Sequence, residues 1–137
     1  MGNWIYNGKE ITEIPENYIG FVYEIIINDL HYIGRKIFYS TTRKIIKNHT
    51  RRKKVVKESD WRNYYGSSEF IKSLVLTHGK ENVTRIMLRL CKSKSEMAYF
   101  EAKTIFERDA LLKDNYINRW ITCQINAKNL EYLKNVN

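Results

Sequence analysis

Apolar and β-branched residues gather first at Phe21 to Ile27 (FVYEIII), stop at Asn28-Asp29, and resume as Leu30 to Ile33 before Gly34. Two such runs across a two-residue polar break predict a β-hairpin. Further on, Ser67-Ser68 precedes Phe70, Ile71, Leu74 and Val75, which fall on one helical face and are followed by His78-Gly79. This spacing predicts a helix with a serine cap and a glycine stop. Between Val83 and Leu90, Ile86, Leu88 and Leu90 alternate with Arg85, Met87 and Arg89, the period of a strand with one buried face. Ser93-Lys94-Ser95-Glu96 matches a capping box and opens a helix through about Leu112, with Met97, Ala98, Ile105 and Leu112 on its apolar side. Residues 1–19, with the turn signal Asn7-Gly8 and the helix breaker Pro15, read as an irregular acidic extension. The order is strand, strand, basic insertion, helix, strand, helix and a C-terminal piece around Tyr116 to Tyr132. That predicts a small α/β sandwich with helices over a short three-stranded sheet.

Composition narrows the class without changing this outline. A chain of 137 residues is one domain, and 43% hydrophobic with 13% aromatic residues suffices for a core, which excludes a disordered basic tail. No apolar run approaches the roughly 20 residues of a membrane span, and the Met1 end lacks a signal-peptide pattern, so a cytoplasmic protein without a membrane partner is expected. Cys91 and Cys123 are too few for a disulfide framework and lack paired zinc spacing; both are expected reduced and buried.

Charge changes the picture more. The net +9 is not spread along the chain. Residues 1–34 carry a net −4, residues 58–137 a net +3, and residues 35–57 ten bases without an acid. Those bases are Arg35, Lys36, Arg43, Lys44, Lys47, Arg51, Arg52, Lys53, Lys54 and Lys57. The β-branched pairs Ile45-Ile46 and Val55-Val56 disfavour a long helix there, so the insertion reads as a loop or irregular ribbon. A solvated loop is one account of such a block. A polyphosphate contact is the other, favoured by the Arg-rich tip and by Phe38, Tyr39 and Trp61 nearby.

Candidate chemistry sits elsewhere. Glu101 falls among the apolar positions of the second helix, where a carboxylate needs either an ion-pair partner or a hard cation, for which one or two carboxylates suffice in phosphate chemistry. Tyr23 and Tyr32 lie on opposite strands of the hairpin and can come side by side, as packing or as chemistry. Gly34, followed by Arg35-Lys36, is a place where backbone could approach a ligand beside two cations. His31, His49 and His78 show no metal spacing and read as structural or solvent-facing. Trp61, Tyr64 and Tyr65 read as packing residues, while Arg85 and Arg89 share a strand face that either extends the basic surface or forms a solvated edge.

Phe21-Val22-Tyr23, followed after eight residues by Tyr32-Ile33-Gly34, resembles the paired motif of the GIY-YIG nuclease superfamily. The helix from Ser67 to Gly79, the strand to Leu90, the Glu101 helix and Tyr116-Ile117-Asn118 follow that domain's order. The likeness is closest to small phage-encoded, homing-endonuclease-like proteins, in which Asp60 to Ser68 (DWRNYYGSS) looks like a subgroup signature. The resemblance implies an extension (1–19), a nuclease domain (20–125) with a basic insertion (35–57), and a short C-terminal segment (126–137). It further implies a three-stranded antiparallel sheet flanked by helices, and metal-dependent hydrolysis of DNA, most simply double-stranded, in a host bacterial cytoplasm.

In that scheme Glu101 holds one Mg²⁺ or Mn²⁺, and no small-molecule cofactor is needed. Tyr23 and Tyr32 position or deprotonate the attacking water, one of them with phenolate character. Asn118 fixes the geometry by hydrogen bonds. Two departures stand out: Phe21 occupies the place of the first motif's glycine, with Gly20 one residue earlier, and the insertion displaces the family's helical arginine. Arg35, Lys36, Arg43 and Arg62 are the candidates for that role. A non-cleaving nucleic-acid-binding module of the same fold is the alternative, and a module for an acidic protein partner is a third.

Overall fold

A computed structural model describes residues 3–45 and 52–135. The main sheet has strand order β2-β1-β7-β3-β4, with β1 at Trp4–Tyr6, β2 at Lys9–Ile11, β3 at Gly20–Ile27, β4 at Leu30–Ile37 and β7 at Val83–Cys91. Its centre, β7-β3-β4, is the expected antiparallel three-stranded sheet. Two further strands extend it. Asn7 and Gly8, both at positive φ, turn β1 into β2, and β1 runs parallel to β7 through Ile5↔Ile86. The residues expected to be irregular therefore hold part of the core. Trp4 is 1% exposed, packs on Phe21 and Tyr23, and donates its Nε1–H to the Trp61 carbonyl at 2.7 Å.

Alternation along β3 explains the layering, because successive side chains of a strand point to opposite faces. Phe21, Tyr23, Ile25 and Ile27 join one core cluster with Ile71 and Val75 of the helix α1 (Glu69–His78). Val22 joins the other, with Met97 and Ile105 of α2 (Lys94–Glu107). The caps are those expected: Ser68 Oγ accepts from Ile71 N, Ser93 Oγ accepts from Glu96 N, and Gly79 ends α1 at φ 87°. Phe70, assigned to the buried side of α1, is 54% exposed. α2 stops at Glu107 because Asp109 turns left-handed (φ 51°), and Leu112 beyond it is 84% exposed.

The alternation expected on β7 is inverted and then broken. Arg85 and Met87 are buried, and Ile86, Leu88 and Leu90 are half-buried. Between Val22↔Arg89 and Tyr23↔Met87 the register shifts by one, leaving Leu88 as a bulge residue. Arg85 and Arg89 consequently face opposite layers. Arg85 lies over Trp4 and Tyr65 and donates to the carbonyls of Arg62 and Tyr64, whereas Arg89 pairs with Glu96 and covers Phe100.

In its described residues, 35–45 and 52–57, the basic insertion is strand but for Phe38, not loop or irregular ribbon. β4 overruns Gly34 to Ile37, and β5 (Tyr39–Ile45) then pairs with β6 (Arg52–Glu58) as a regular antiparallel ribbon from Tyr39↔Glu58 to Ile45↔Arg52. β-branched pairs that disfavour helix suit a ladder. The ribbon's root is clamped to the core: Phe38 (0% exposed) meets Trp61 edge-on at 5.1 Å, and Ser59 N donates to the Phe38 carbonyl. Lys47, His49 and Arg51 lie outside the described residues. Cys91 is buried, while Cys123, expected buried, is exposed. No helix among the described residues is long and apolar enough to cross a membrane.

Trp4→Ala should lower the unfolding free energy by about 3–5 kcal/mol, the usual cost of emptying a large aromatic site. Leu76→Ala, at a side chain 88% exposed, should change it by less than about 0.5 kcal/mol. Urea unfolding followed by circular dichroism distinguishes the two.

Candidate active site

A cleft of about 720 Å³ opens at the outer edge of β4, lined by Tyr23, Tyr32, Gly34, Arg35, Tyr64, Ser67, Glu101, Asn118 and Trp120 among others. It straddles the sheet. In the β3–β4 register Tyr23 stands opposite Gly34 and Tyr32 opposite Ile25, so the tyrosines are diagonal neighbours on the α1 face, their rings 6.3 Å apart. Arg35, opposite Val22, belongs to the α2 face, where its guanidinium lies 3.3 Å from Glu101 Oε1.

Gly34 is where the two sides meet. A Cβ there would overlap the Tyr23 hydroxyl and come within 2.5 Å of its Cζ, so only glycine lets that phenol lie across β4. Gly20, the residue before Phe21, has its own reason to lack a side chain: a Cβ would press on Met97 Sδ at 2.6 Å. The displaced glycine of the first motif thus seats α2 against β3.

The third wall is the segment carrying Asn118. His31 N donates to the Asn115 carbonyl and Ile117 N to the His31 carbonyl, each at 2.8 Å. Asn118 then spends both ends of its amide on one residue: Oδ1 accepts from Ile33 N at 3.0 Å and Nδ2 donates to the Ile33 carbonyl at 2.9 Å. A network that the sequence did not announce braces this segment. Glu24, 5% exposed, accepts from His31 Nδ1 and from Arg108 Nη1 at 2.7 Å each, and His31 stacks on Tyr116. The signal was there: a lone carboxylate within FVYEIII has to find partners.

Burial pushes the Tyr23 phenol well above its usual range, helped by the neighbouring phenols of Tyr64 and Tyr32. Tyr32 is also raised by burial, against a hydrogen bond shared with Ser67 Oγ. The protein's own groups therefore oppose the expected phenolate and favour neutral hydroxyls, which can both donate and accept hydrogen bonds. Burial raises Glu101 despite Arg35 beside it. A carboxylate offers about four lone-pair positions. Among the described residues Glu101 has Arg35 alone as an ionic partner, and no cluster of three acidic, histidine or cysteine ligands exists. One under-compensated carboxylate in a polar cleft fits a hard cation that keeps its waters and takes substrate oxygens.

The fold thus brings Tyr23, Tyr32, Arg35, Glu101 and Asn118 together. Lys36 and Arg62 lie outside the cleft. Lys36 pairs with Asp60 at 2.6 Å over the Tyr64 ring; Arg62 pairs with Glu58 and Glu13 and reaches the Thr12 carbonyl. Arg43 and Lys44 stand on β5, Arg52, Lys53, Lys54 and Lys57 on β6. Tyr64, read from sequence as packing, does pack edge-on against Tyr23 and also lines the cleft.

Residues 4–121 match the family model described as "Putative endonuclease segE, GIY-YIG domain". The chain belongs to the GIY-YIG family. The match begins at Trp4, so β1 and β2 lie within the matched residues. No curated protein and no solved structure matches the chain.

Gly34→Ala should cost about 1–3 kcal/mol, the usual range for overpacking, and should move the Tyr23 ring. Denaturant unfolding reads the first and near-ultraviolet circular dichroism the second; unchanged values in both would refute the close-approach account.

Proposed function

We propose that this protein is a divalent-metal-dependent endonuclease that hydrolyses DNA phosphodiester bonds, a phage-encoded enzyme of homing-endonuclease-like type acting on double-stranded DNA in the host cytoplasm. The observation that carries the reading is the convergence of Tyr23, Tyr32, Arg35, Glu101 and Asn118 on one cleft of a GIY-YIG domain. Phosphodiester cleavage calls for an oriented water and for positive charge where the pentavalent phosphorus gathers negative charge. Tyr32 and Tyr23 present neutral hydroxyls side by side, suited to orienting the water and relaying its proton. Arg35, fixed on β4, 40% exposed and beside Glu101, is a cation that can reach a phosphate oxygen in this cleft, which supports giving it the part of the family's displaced arginine. Glu101 would hold one Mg²⁺ or Mn²⁺, which when bound supplies Lewis acidity toward the phosphate and the leaving 3′ oxygen. Asn118 acts through Ile33, holding β4 and its two neighbours in place.

The ribbon is the second half of the reading. Its register sets Arg43 opposite Lys54 and Lys44 opposite Lys53, and like charges directly opposite are destabilising in an isolated ladder. A two-stranded ribbon fits the DNA major groove, with phosphates on either side. Neutralising the phosphate backbone repays the repulsion through counterion release.

Purified protein with plasmid and Mg²⁺ or Mn²⁺ should produce nicked or linear product. Glu101→Ala should lower the rate at least about a hundredfold, in keeping with several kcal/mol of metal-supplied stabilisation, and Tyr32→Phe about 10²–10⁴-fold. Both variants should retain the parent's circular dichroism. Salt-dependent binding without any metal-dependent cut would instead mark a non-cleaving module.

Replacing Arg51, Arg52, Lys53 and Lys54 by neutral residues should flatten the dependence of DNA affinity on salt, by about 0.9 in the log–log slope for each phosphate that the ribbon no longer neutralises. A slope equal to the parent's, measured by titration at several salt concentrations, would remove the ribbon from the interface.

A further inference from the structure

Trp120 stands apart from the other tryptophans. Trp4 and Trp61 are each 1% exposed within the core, whereas Trp120 is 81% exposed and lines the candidate active-site cleft. The other strongly exposed apolar side chains, Leu76, Leu112 and Phe106, lie outside the cleft's lining. Among the described residues no ring stacks on its indole, so packing within the chain does not account for it.

The chain leading to it is nevertheless held. Asn118, two residues earlier, is locked to both polar groups of Ile33. Arg119 Nη1 turns back to the carbonyls of Tyr116 at 3.1 Å and Asn118 at 3.2 Å, which stiffens the chain as it leaves that lock. An indole on a braced segment loses little freedom when something lies on it. The cleft behind it carries three phenols, two guanidinium groups, a carboxylate and a carboxamide. A ligand suited to both parts combines a charged backbone for the interior with a flat π-face for the rim, which is the chemistry of a nucleotide strand.

We propose that Trp120 stacks on a nucleobase of the DNA strand whose phosphate occupies the cleft, making it a substrate-contact residue beside the scissile bond. The proposal rests on the nuclease reading above and names a contact that reading does not contain. In a duplex the stacking requires a base step to open, which costs a few kcal/mol. An unpaired strand avoids that cost and should engage the indole at least as well.

The two buried tryptophans make the test direct. Wild-type protein in EDTA, which prevents cutting, is titrated with a short mixed-sequence duplex and separately with one of its strands unpaired, while tryptophan emission is followed. Binding should quench the red-shifted emission of the exposed indole, with the unpaired strand as strong a quencher as the duplex or stronger. Trp120→Phe should keep affinity within a few-fold of the parent and lose the fluorescence response. Trp120→Ala should weaken binding of the unpaired strand about 5- to 150-fold, the equivalent of about 1–3 kcal/mol per stacked base. Equal quenching in Trp120→Phe, or parental affinity in Trp120→Ala, overturns the proposal. If the parent cuts plasmid with metal and yet shows either result, the stacking contact is refuted and the nuclease reading stands. A parent that neither binds nor cuts DNA removes both.

Discussion

The cleft depends on the free edge of β4 at three consecutive residues. Sheet edges expose unpaired N–H and C=O groups, and natural proteins cover or occupy them. Here the edge is satisfied as far as Ile33 by the chain at Asn115 to Asn118, the last step being a side-chain amide that takes both polar groups of Ile33. At Gly34 the missing side chain opens a passage for the Tyr23 phenol, and Arg35 then faces Glu101 on the other side of the sheet. A small displacement of this tripeptide would separate the tyrosines from the carboxylate, because each belongs to a different layer of the core.

Charge in the interior serves position more than stability. Glu24, Arg85, Glu96 and Asn118 are buried, and among the described residues every buried side-chain nitrogen or oxygen has a partner. Each joins elements distant in sequence. Glu24 ties β3 to His31 and to Arg108 beyond α2, while Arg85 holds the loop of Tyr64 and Tyr65 that forms part of the cleft wall. Replacing buried ion pairs with apolar residues often leaves stability unchanged, whereas removing one partner of such a pair is strongly destabilising. The excess positive charge of the sequence is organised differently: most of it lies along a ribbon that follows β4 in the chain and is anchored at its root by Phe38 and Trp61.

Much of the fold was legible from local rules, and each misreading has its own physical reason. Ser68, Ser93 and Gly79 cap helices because their side chains, or the lack of one, satisfy local backbone geometry. The hairpin follows from two apolar runs around Asn28-Asp29. Arg85 looked solvent-facing because alternation cannot foresee that both faces of β7 are covered, nor that the bulge at Leu88 exchanges them. The acidic start of the chain looked irregular because three-residue strands carry too little periodicity to read, and β7, which joins β1 to the sheet, lies some eighty residues away. The ribbon looked irregular because its charges obscured the β-branched pairs that register brings opposite Thr41 and Thr42.

By itself the sequence determined which residue types are available for chemistry and in what order, since Tyr23, Tyr32, Gly34, Glu101 and Asn118 are read as a motif and helix caps and turns are local matters. It also located the positive charge in residues 35–57. Tertiary structure alone decided which cation meets Glu101. Arg35, Lys36 and Arg62 have similar local credentials, but strand alternation and the β3–β4 register send Arg35 to the α2 face while Lys36 and Arg62 are taken by Asp60, Glu58 and Glu13. It likewise set Trp120 at the rim. Both outcomes depend on contacts between residues far apart in the chain, and such contacts leave no local pattern to read.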